Sequence, residues 1–328
     1  VADLARTPGW HAPPVQRRRV GGSGLQVSRI GLGTMTWGED TDADGAGEQL
    51  LAFTEAGGTL VETADVYGDG TAQQVLGGHL ADGLVAREDV VIAARGVPAG
   101  GALGGGSARG ALLRGLDATL RRLRTDHLDL WQLPGWDTHV PLEETLSAIQ
   151  VAVLAGKVRY AGLVAPSGWQ LATVAERARS VGNLVAPVSV QVEYSLLTRS
   201  AERELLPAAR HHGLGLLAWA PLGRGVLTGK YTDGTPSDSR AGSPSLAAYV
   251  EARRNERSAR IVQSVLTAAD GLGTSPLAVA LAWVRDRPGV AAAVVGARDA
   301  AQLAASLATE KITLPPEIRA ALDDVSTP

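Results

Sequence analysis

A glutamate and a tyrosine five residues apart carry the first hint of chemistry in this chain: Glu62 and Tyr67, in Val61-Glu62-Thr63-Ala64-Asp65-Val66-Tyr67-Gly68-Asp69-Gly70. A phenol held beside a charged group can act as a general acid, giving its proton to an oxygen on which negative charge develops. The stretch follows the apolar run Thr59-Leu60-Val61 and ends in a Gly-Asp-Gly turn. It therefore reads as a buried strand running into a loop, with its polar residues at the carboxyl end. In a barrel of parallel strands that end carries the chemistry. The same residues also read as a strand end with an ordinary acidic loop, and the stretch alone does not choose.

The elements that must position these residues alternate along the chain. Apolar strands are expected at 30–33, 59–62, 90–94, 127–132, 158–163, 188–191, 214–219 and 290–295. Helical patterns fall at 43–57, 71–82, 107–123, 142–155, 168–180, 201–212, 255–286 and 299–308, with Leu116, Leu120 and Leu123 on one helical face. Eight strands each followed by a helix predict a single (β/α)₈ TIM barrel over 17–328, after a loosely ordered tail at 1–16. A doubly wound sheet is the alternative, but Gly31-Leu32-Gly33 lacks the rest of a dinucleotide fingerprint. Two short runs around Gly21-Gly22-Ser23-Gly24 predict an N-terminal β-hairpin, with Arg17, Arg18 and Arg19 on a solvated edge. The glycine-rich 96–107 reads as flexible coil at the barrel mouth, 220–249 as a lid or binding loop, and 316–324 as a helix packed outside.

Composition narrows the function classes. The apolar share is 45%, enough for a large core, and the net charge of −3 gives no electrostatic reason to expect nucleic acid or an anionic membrane. There is no cysteine, which excludes disulfides and thiolate metal sites, and the histidines, His211 and His212 included, show no ligand spacing. No apolar run approaches the ~20 residues that span a bilayer, and no signal-peptide pattern opens the chain. The expectation is a cytoplasmic protein that holds no metal.

The stretch around Tyr67 resembles the Asp-Thr-Ala-x-x-Tyr-Gly signature of the aldo-keto reductases. Gly31-Leu32-Gly33-Thr34-Met35-Thr36-Trp37-Gly38 resembles that family's first-strand motif, and the likeness runs from about Arg18 to about Ala321. The resemblance implies a barrel whose hairpin plugs the bottom. It also implies NADP(H)-dependent interconversion of a carbonyl and an alcohol, with a small-molecule carbonyl as partner and Tyr67 as proton donor. In the family a lysine ending the third strand pairs with an aspartate; Arg95 and Glu62 stand there, so the pair keeps its charges as Glu–Arg. Arg95 is then expected to lower the Tyr67 pKa from its usual ~10. Pro134 stands where the family has a histidine; His139, five residues on, either folds back in its place or is an ordinary surface histidine of the loop.

The cofactor positions follow in the same way. Val164 and Ala165 replace the Ser-Asn pair that grips the nicotinamide, whereas Gln191 is kept and Trp219 matches the aromatic that stacks on its ring. Ala220-Pro221-Leu222-Gly223-Arg224-Gly225-Val226-Leu227-Thr228-Gly229-Lys230 resembles the family's pyrophosphate loop after strand seven, its glycines letting backbone approach phosphate. Gly296, Arg298 and Gln302 resemble the segment that holds the adenosine 2′-phosphate, at a helix amino terminus suited to an anion. Thr34 and Met35 complete the cofactor set, and Trp37 and Trp136 are expected to line the substrate mouth. The rival reading is a catalytically degenerate barrel that binds a nucleotide or a protein partner without reducing anything, as Pro134, Val164 and Ala165 would allow. A third is altered chemistry in the same pocket.

Overall fold

The computed structural model describes residues 14–96, 106–134, 136–180, 185–232, 234 and 247–328. Most of the expected tail, the glycine run at 97–105 and residues 235–246 of the long loop lie outside the described residues. The end of the expected tail is docked: Val15 is buried and its N–H donates to the carbonyl of Ala56 at 2.8 Å.

An antiparallel hairpin of β1 (Arg17–Arg19) and β2 (Gln26–Ser28) comes first. Then follow β3 (Ile30–Gly33), α1 (Ala43–Glu55), β4 (Leu60–Ala64), α2 (Thr71–Ala81), β5 (Val91–Arg95), α3 (Arg109–Leu123), β6 (Leu128–Leu133), α4 (Leu142–Leu154), β7 (Val158–Val164), α5 (Gly168–Ser180), β8 (Ser189–Glu193), α6 (Leu205–His212) and β9 (Gly215–Trp219). The chain continues through α7 (Ala247–Glu251), α8 (Glu256–Gly271), α9 (Pro276–Arg285), β10 (Val290–Val295), α10 (Ala300–Leu307) and α11 (Pro316–Val325). Strands β3 to β10 close in chain order into one parallel barrel, β10 pairing with β3.

The period-2 alternation of the strands sorts the core into two layers. On β6, Trp131 and Leu133 pack outward against the helices while Leu130 faces the lumen. The lower lumen is filled by the hairpin, whose Val20, Leu25 and Val27 join Leu60, Leu130 and Leu217 in a dry cluster. The hairpin turn lies tight against the wall: Gly22 N–H donates to Gly213 at 2.8 Å, and a Cβ on Gly21, at φ +57°, would meet that same carbonyl at 2.2 Å. Of the three arginines, Arg17 and Arg19 are exposed as expected. Arg18 instead donates to the carbonyls of Arg285 and Val290 and to Asp286, fastening the hairpin to the barrel floor.

Two further expectations change. The helical pattern at 255–286 is two helices meeting at 103°, because Gly273 turns left-handed and Ser275 caps a new helix with Pro276 in its first turn. No single described helix is long and apolar enough to cross a membrane. Trp37 is fully buried, its indole N–H donating to Gln49 of α1 at 3.1 Å, so it is part of the core and does not line the mouth. Trp37→Phe should cost roughly 2–4 kcal/mol in urea unfolding, through a small cavity and an orphaned Gln49 acceptor. Unchanged stability would show that the indole bond is not formed.

Candidate functional site

Strand β4 delivers Glu62 into the upper lumen, and a tight turn beyond it brings Tyr67 back over the same strand end. Gly68, Asp69 and Gly70 all adopt left-handed backbone there, at φ 56°, 51° and 88°. Strand β5 ends in Arg95, in register with Ala64 on one side and Gln132 on the other. Strand β8 stands opposite β4 in the ring and supplies Gln191. These four side chains meet. Arg95 Nε donates to Glu62 Oε1 at 2.9 Å, Gln191 Nε2 donates to the same oxygen at 3.0 Å, and Tyr67 Oη donates to the carboxylate at 3.2–3.3 Å. A second Arg95 nitrogen donates to Tyr67 Oη. All three partners of Glu62 are donors, which fixes the Gln191 amide with its nitrogen toward Glu62. Its oxygen is buried and has no hydrogen-bond partner among the described residues.

The electrostatics reverse one expectation. Burial, reinforced by the Glu62 charge, pushes the Tyr67 phenol well above its usual range, and the opposing influence of Arg95 does not offset them. Burial also works against the Arg95 charge, but Glu62 and Tyr67 outweigh it and hold the guanidinium above its ordinary value. Arg95 therefore sits next to a phenol that keeps its proton tightly. At 3.2–3.3 Å the Tyr67–Glu62 bond is long for O–H···O, so the proton is held more by burial and charge than by that contact.

The remaining expected residues distribute around this cluster. Thr34 is buried behind β3, its N–H donating to the Glu62 carbonyl at 3.0 Å and its hydroxyl without a partner among the described residues; Met35 is half-buried in the next turn. Trp219 ends β9 with its indole nitrogen buried and likewise unpartnered, and the Arg224 guanidinium lies 5.2 Å over its ring. After buried Pro221 and half-buried Leu222, Gly223, Arg224 and Gly225 run left-handed at φ 55°, 60° and 92°. Exposed Lys230 packs its amine over Gly225. Beyond β10, Gly296 and Gln302 are exposed and Arg298 half-buried. The α10 amino terminus is capped by Asp299, which accepts the Gln302 N–H at 2.7 Å, and Gln302 in turn accepts the Arg298 N–H at 3.3 Å.

Some residues stand elsewhere than expected. His139 is almost fully exposed beside Asp137, away from the lumen, so it does not replace the missing histidine. Pro134, Val164 and Trp136 line an apolar cavity between the strand ends and helices α4 and α5. Sequence reasoning passed over Gln132 and Ser189, buried in the lumen and bonded to each other at 3.4 Å. Gly162 lies between them, where a Cβ would come within 2.2 Å of both side chains. The signal was present, since Gln132 shares the inward face with Leu130. Glu193, bound by Arg253 at 2.9 Å and Arg224 at 3.5 Å, was also missed, because its partners are 60 and 31 residues away in sequence.

The sequence model of the aldo/keto reductase family matches residues 29–327. The chain belongs to that family. Among curated relatives, the uncharacterized oxidoreductase YrpG of Bacillus subtilis (strain 168) is 35% identical over 322 residues, 93% of this chain and 94% of the relative. A probable voltage-gated potassium channel subunit beta from Oryza sativa subsp. japonica is 34% identical over 290 residues, 86% of this chain and 87% of its own. One from Arabidopsis thaliana is 32% identical over 295 residues, 88% and 89%.

Glu62→Gln should lower the Tyr67 pKa, because it removes the charge that opposes phenolate and leaves Arg95 unopposed. Tyrosinate absorbance, taken as the difference from a Tyr67→Phe control, checks the sign, and an upward shift would refute this charge balance. With its folded pKa raised, the phenol's contribution to stability is intact below about pH 10 and is lost as pH climbs through the folded value. Arg95→Met, which strands the buried Glu62 carboxylate, should cost about 3 kcal/mol in denaturant unfolding.

Proposed function

We propose that this aldo/keto reductase is an NADP(H)-dependent oxidoreductase that interconverts a carbonyl and an alcohol. One observation carries the reading: a proton-bearing Tyr67, a cation on Arg95 and a carboxylate on Glu62 meet at the carboxyl end of the barrel, with Gln191 Oε1 and Trp219 Nε1 buried and without hydrogen-bond partners among the described residues. The nicotinamide, when bound, supplies hydride to the carbonyl carbon. Gln191 Oε1 and the Trp219 ring would hold it, the first accepting from its carboxamide and the second stacking on its face. Pro221, Leu222, Gly223, Arg224, Gly225 and Lys230 would follow the pyrophosphate.

The protein's own part is the proton. Tyr67 turns its O–H from the long contact with Glu62 to the substrate oxygen and gives up the proton as negative charge develops there. A phenol with a raised pKa gives it late, only to an oxygen already close to alkoxide. Arg95 then faces the phenolate and offsets its charge, while Glu62 keeps the guanidinium in place. Pro134 adds no donor, so Tyr67 and Arg95 act alone on the oxygen.

The fit is weaker at the adenosine end. Asp299 already satisfies the α10 amino terminus and sets a carboxylate near the expected 2′-phosphate. Arg298 supports NADPH and Asp299 opposes it, which makes the choice of cofactor a direct test. The second reading, a barrel that binds without turnover, is supported by Pro134, Val164 and Ala165, and by relatives described as potassium channel β subunits.

Titration with NADPH and NADH, followed through tryptophan emission, should give micromolar binding with NADPH preferred. Tyr67→Phe should then keep binding and lose carbonyl turnover by roughly 10²-fold or more. Absence of binding at millimolar cofactor ends the reductase reading, and tight binding with no turnover across aldehydes and ketones establishes the binder.

A further inference from the structure

A single carboxylate holds the cation of the glycine-rich loop after β9. Glu193 ends β8 in register with Trp219, which ends β9, and its side chain is 12% exposed. Arg253, just past α7, donates to Glu193 Oε1 from Nε at 3.2 Å and from Nη2 at 2.9 Å. Arg224 Nη2 donates to the other oxygen at 3.5 Å, the outer limit of a hydrogen bond. The two pairs are unequal, since Arg253 grips the carboxylate through two nitrogens and Arg224 touches it through one. The Arg224 guanidinium also lies 5.2 Å over the Trp219 ring, so the loop's cation and that ring are engaged with each other.

The backbone under Arg224 has little room to move. Gly223, Arg224 and Gly225 run left-handed, and a Cβ would come within 2.7 Å of Leu197 at Gly223 and 3.0 Å from Lys230 at Gly225. The Arg224 side chain is therefore the part that can change partners. Charge sets its choices. A phosphate drawn to Arg224 approaches the Glu193 carboxylate as well, and these side chains are mostly buried, so the repulsion is screened less than on an open surface. Glu193 thus competes with any phosphate for one guanidinium, while Arg253 keeps the carboxylate paired whichever of the two Arg224 takes.

We propose that Glu193 is a positioning residue that sets the phosphate affinity of this loop: a pyrophosphate-bearing ligand takes Arg224 from Glu193, and the departing guanidinium clears one face of the Trp219 ring. That the ligand is a dinucleotide rests on the reductase reading; the exchange of a carboxylate for a phosphate does not. Inorganic pyrophosphate is titrated into the full chain at constant ionic strength while the tryptophan indole N–H resonances are followed by nitrogen-15 NMR, with Trp219 assigned from Trp219→Phe. The Trp219 signal should move saturably, and Arg224→Met should abolish the movement. Glu193→Gln should tighten pyrophosphate binding roughly 5-fold or more. Arg253→Met, which leaves Glu193 to Arg224 alone, should weaken it. A carboxylate that only braced the fold would give weaker binding in both variants. No movement of Trp219 with pyrophosphate in the unaltered chain, or equal movement with chloride, overturns the exchange without recourse to any variant. Unchanged or weaker pyrophosphate binding by folded Glu193→Gln overturns it too. NADPH is titrated in parallel. Trp219 movement with pyrophosphate but no NADPH binding keeps the exchange and removes the reductase reading. NADPH binding that Glu193→Gln leaves unchanged keeps the reductase reading and overturns the exchange.

Discussion

A buried carboxylate with three donors around it is the constraint on which the upper barrel depends. Glu62 lies in the lumen with 2% exposure, where an uncompensated charge would cost several kcal/mol. Arg95 from the adjacent strand, Gln191 from the opposite one and Tyr67 from the following turn each give it a hydrogen. Because these donors come from three separate parts of the ring, the carboxylate links β4, β5 and β8 across the upper lumen. The lower lumen needs no such device, since the hairpin fills it with Val20, Leu25 and Val27. One closed sheet thus holds a dry apolar half and a polar half within a few residues of each other, and the change falls where Leu60 gives way to Glu62.

The Glu62 carboxylate reaches across the lumen to the amide of Gln191 on the opposite strand. That amide is then no longer free to rotate, and its oxygen alone is left for a ligand. Arg95 acts in the same direction. A guanidinium can hold Glu62 through Nε and the Tyr67 oxygen through a terminal nitrogen at once, which a lysine amine does with less directional control. Glu62 and Arg95 thus hold one another in place at 2.9 Å.

Much of this could be read from the sequence, and the limits have physical causes. Strand and helix order followed from period and turn residues, and the break near Gly273-Thr274-Ser275-Pro276 was written there although the apolar pattern ran through it. Glu62, Tyr67 and Arg95 were legible because motif spacing and strand ends fix where they stand. The sign of the Tyr67 shift was not, because it depends on how burial and two opposite charges sum, and spacing carries no information on depth. Trp37 misled for a related reason: an aromatic just past a strand end can face the mouth or the helix layer, and Gln49, twelve residues on, decides it. Gln132, Ser189 and Gly162 form a contact set across three strands that no local window contains.

Around Pro134 and Val164 several polar groups are bonded within the protein, Asp137 accepting from Ser107 and His139 and Thr145 donating to Ser107, in a wall that is otherwise mostly apolar. The mouth has two unlike sides as a result. Over β4 and β5 it presents a tightly held proton and a fixed cation; over β6 and β7 it presents mainly apolar side chains. In the proposed reduction, the charge developing on the substrate oxygen falls to Tyr67 and Arg95, the two groups that Glu62 holds in place.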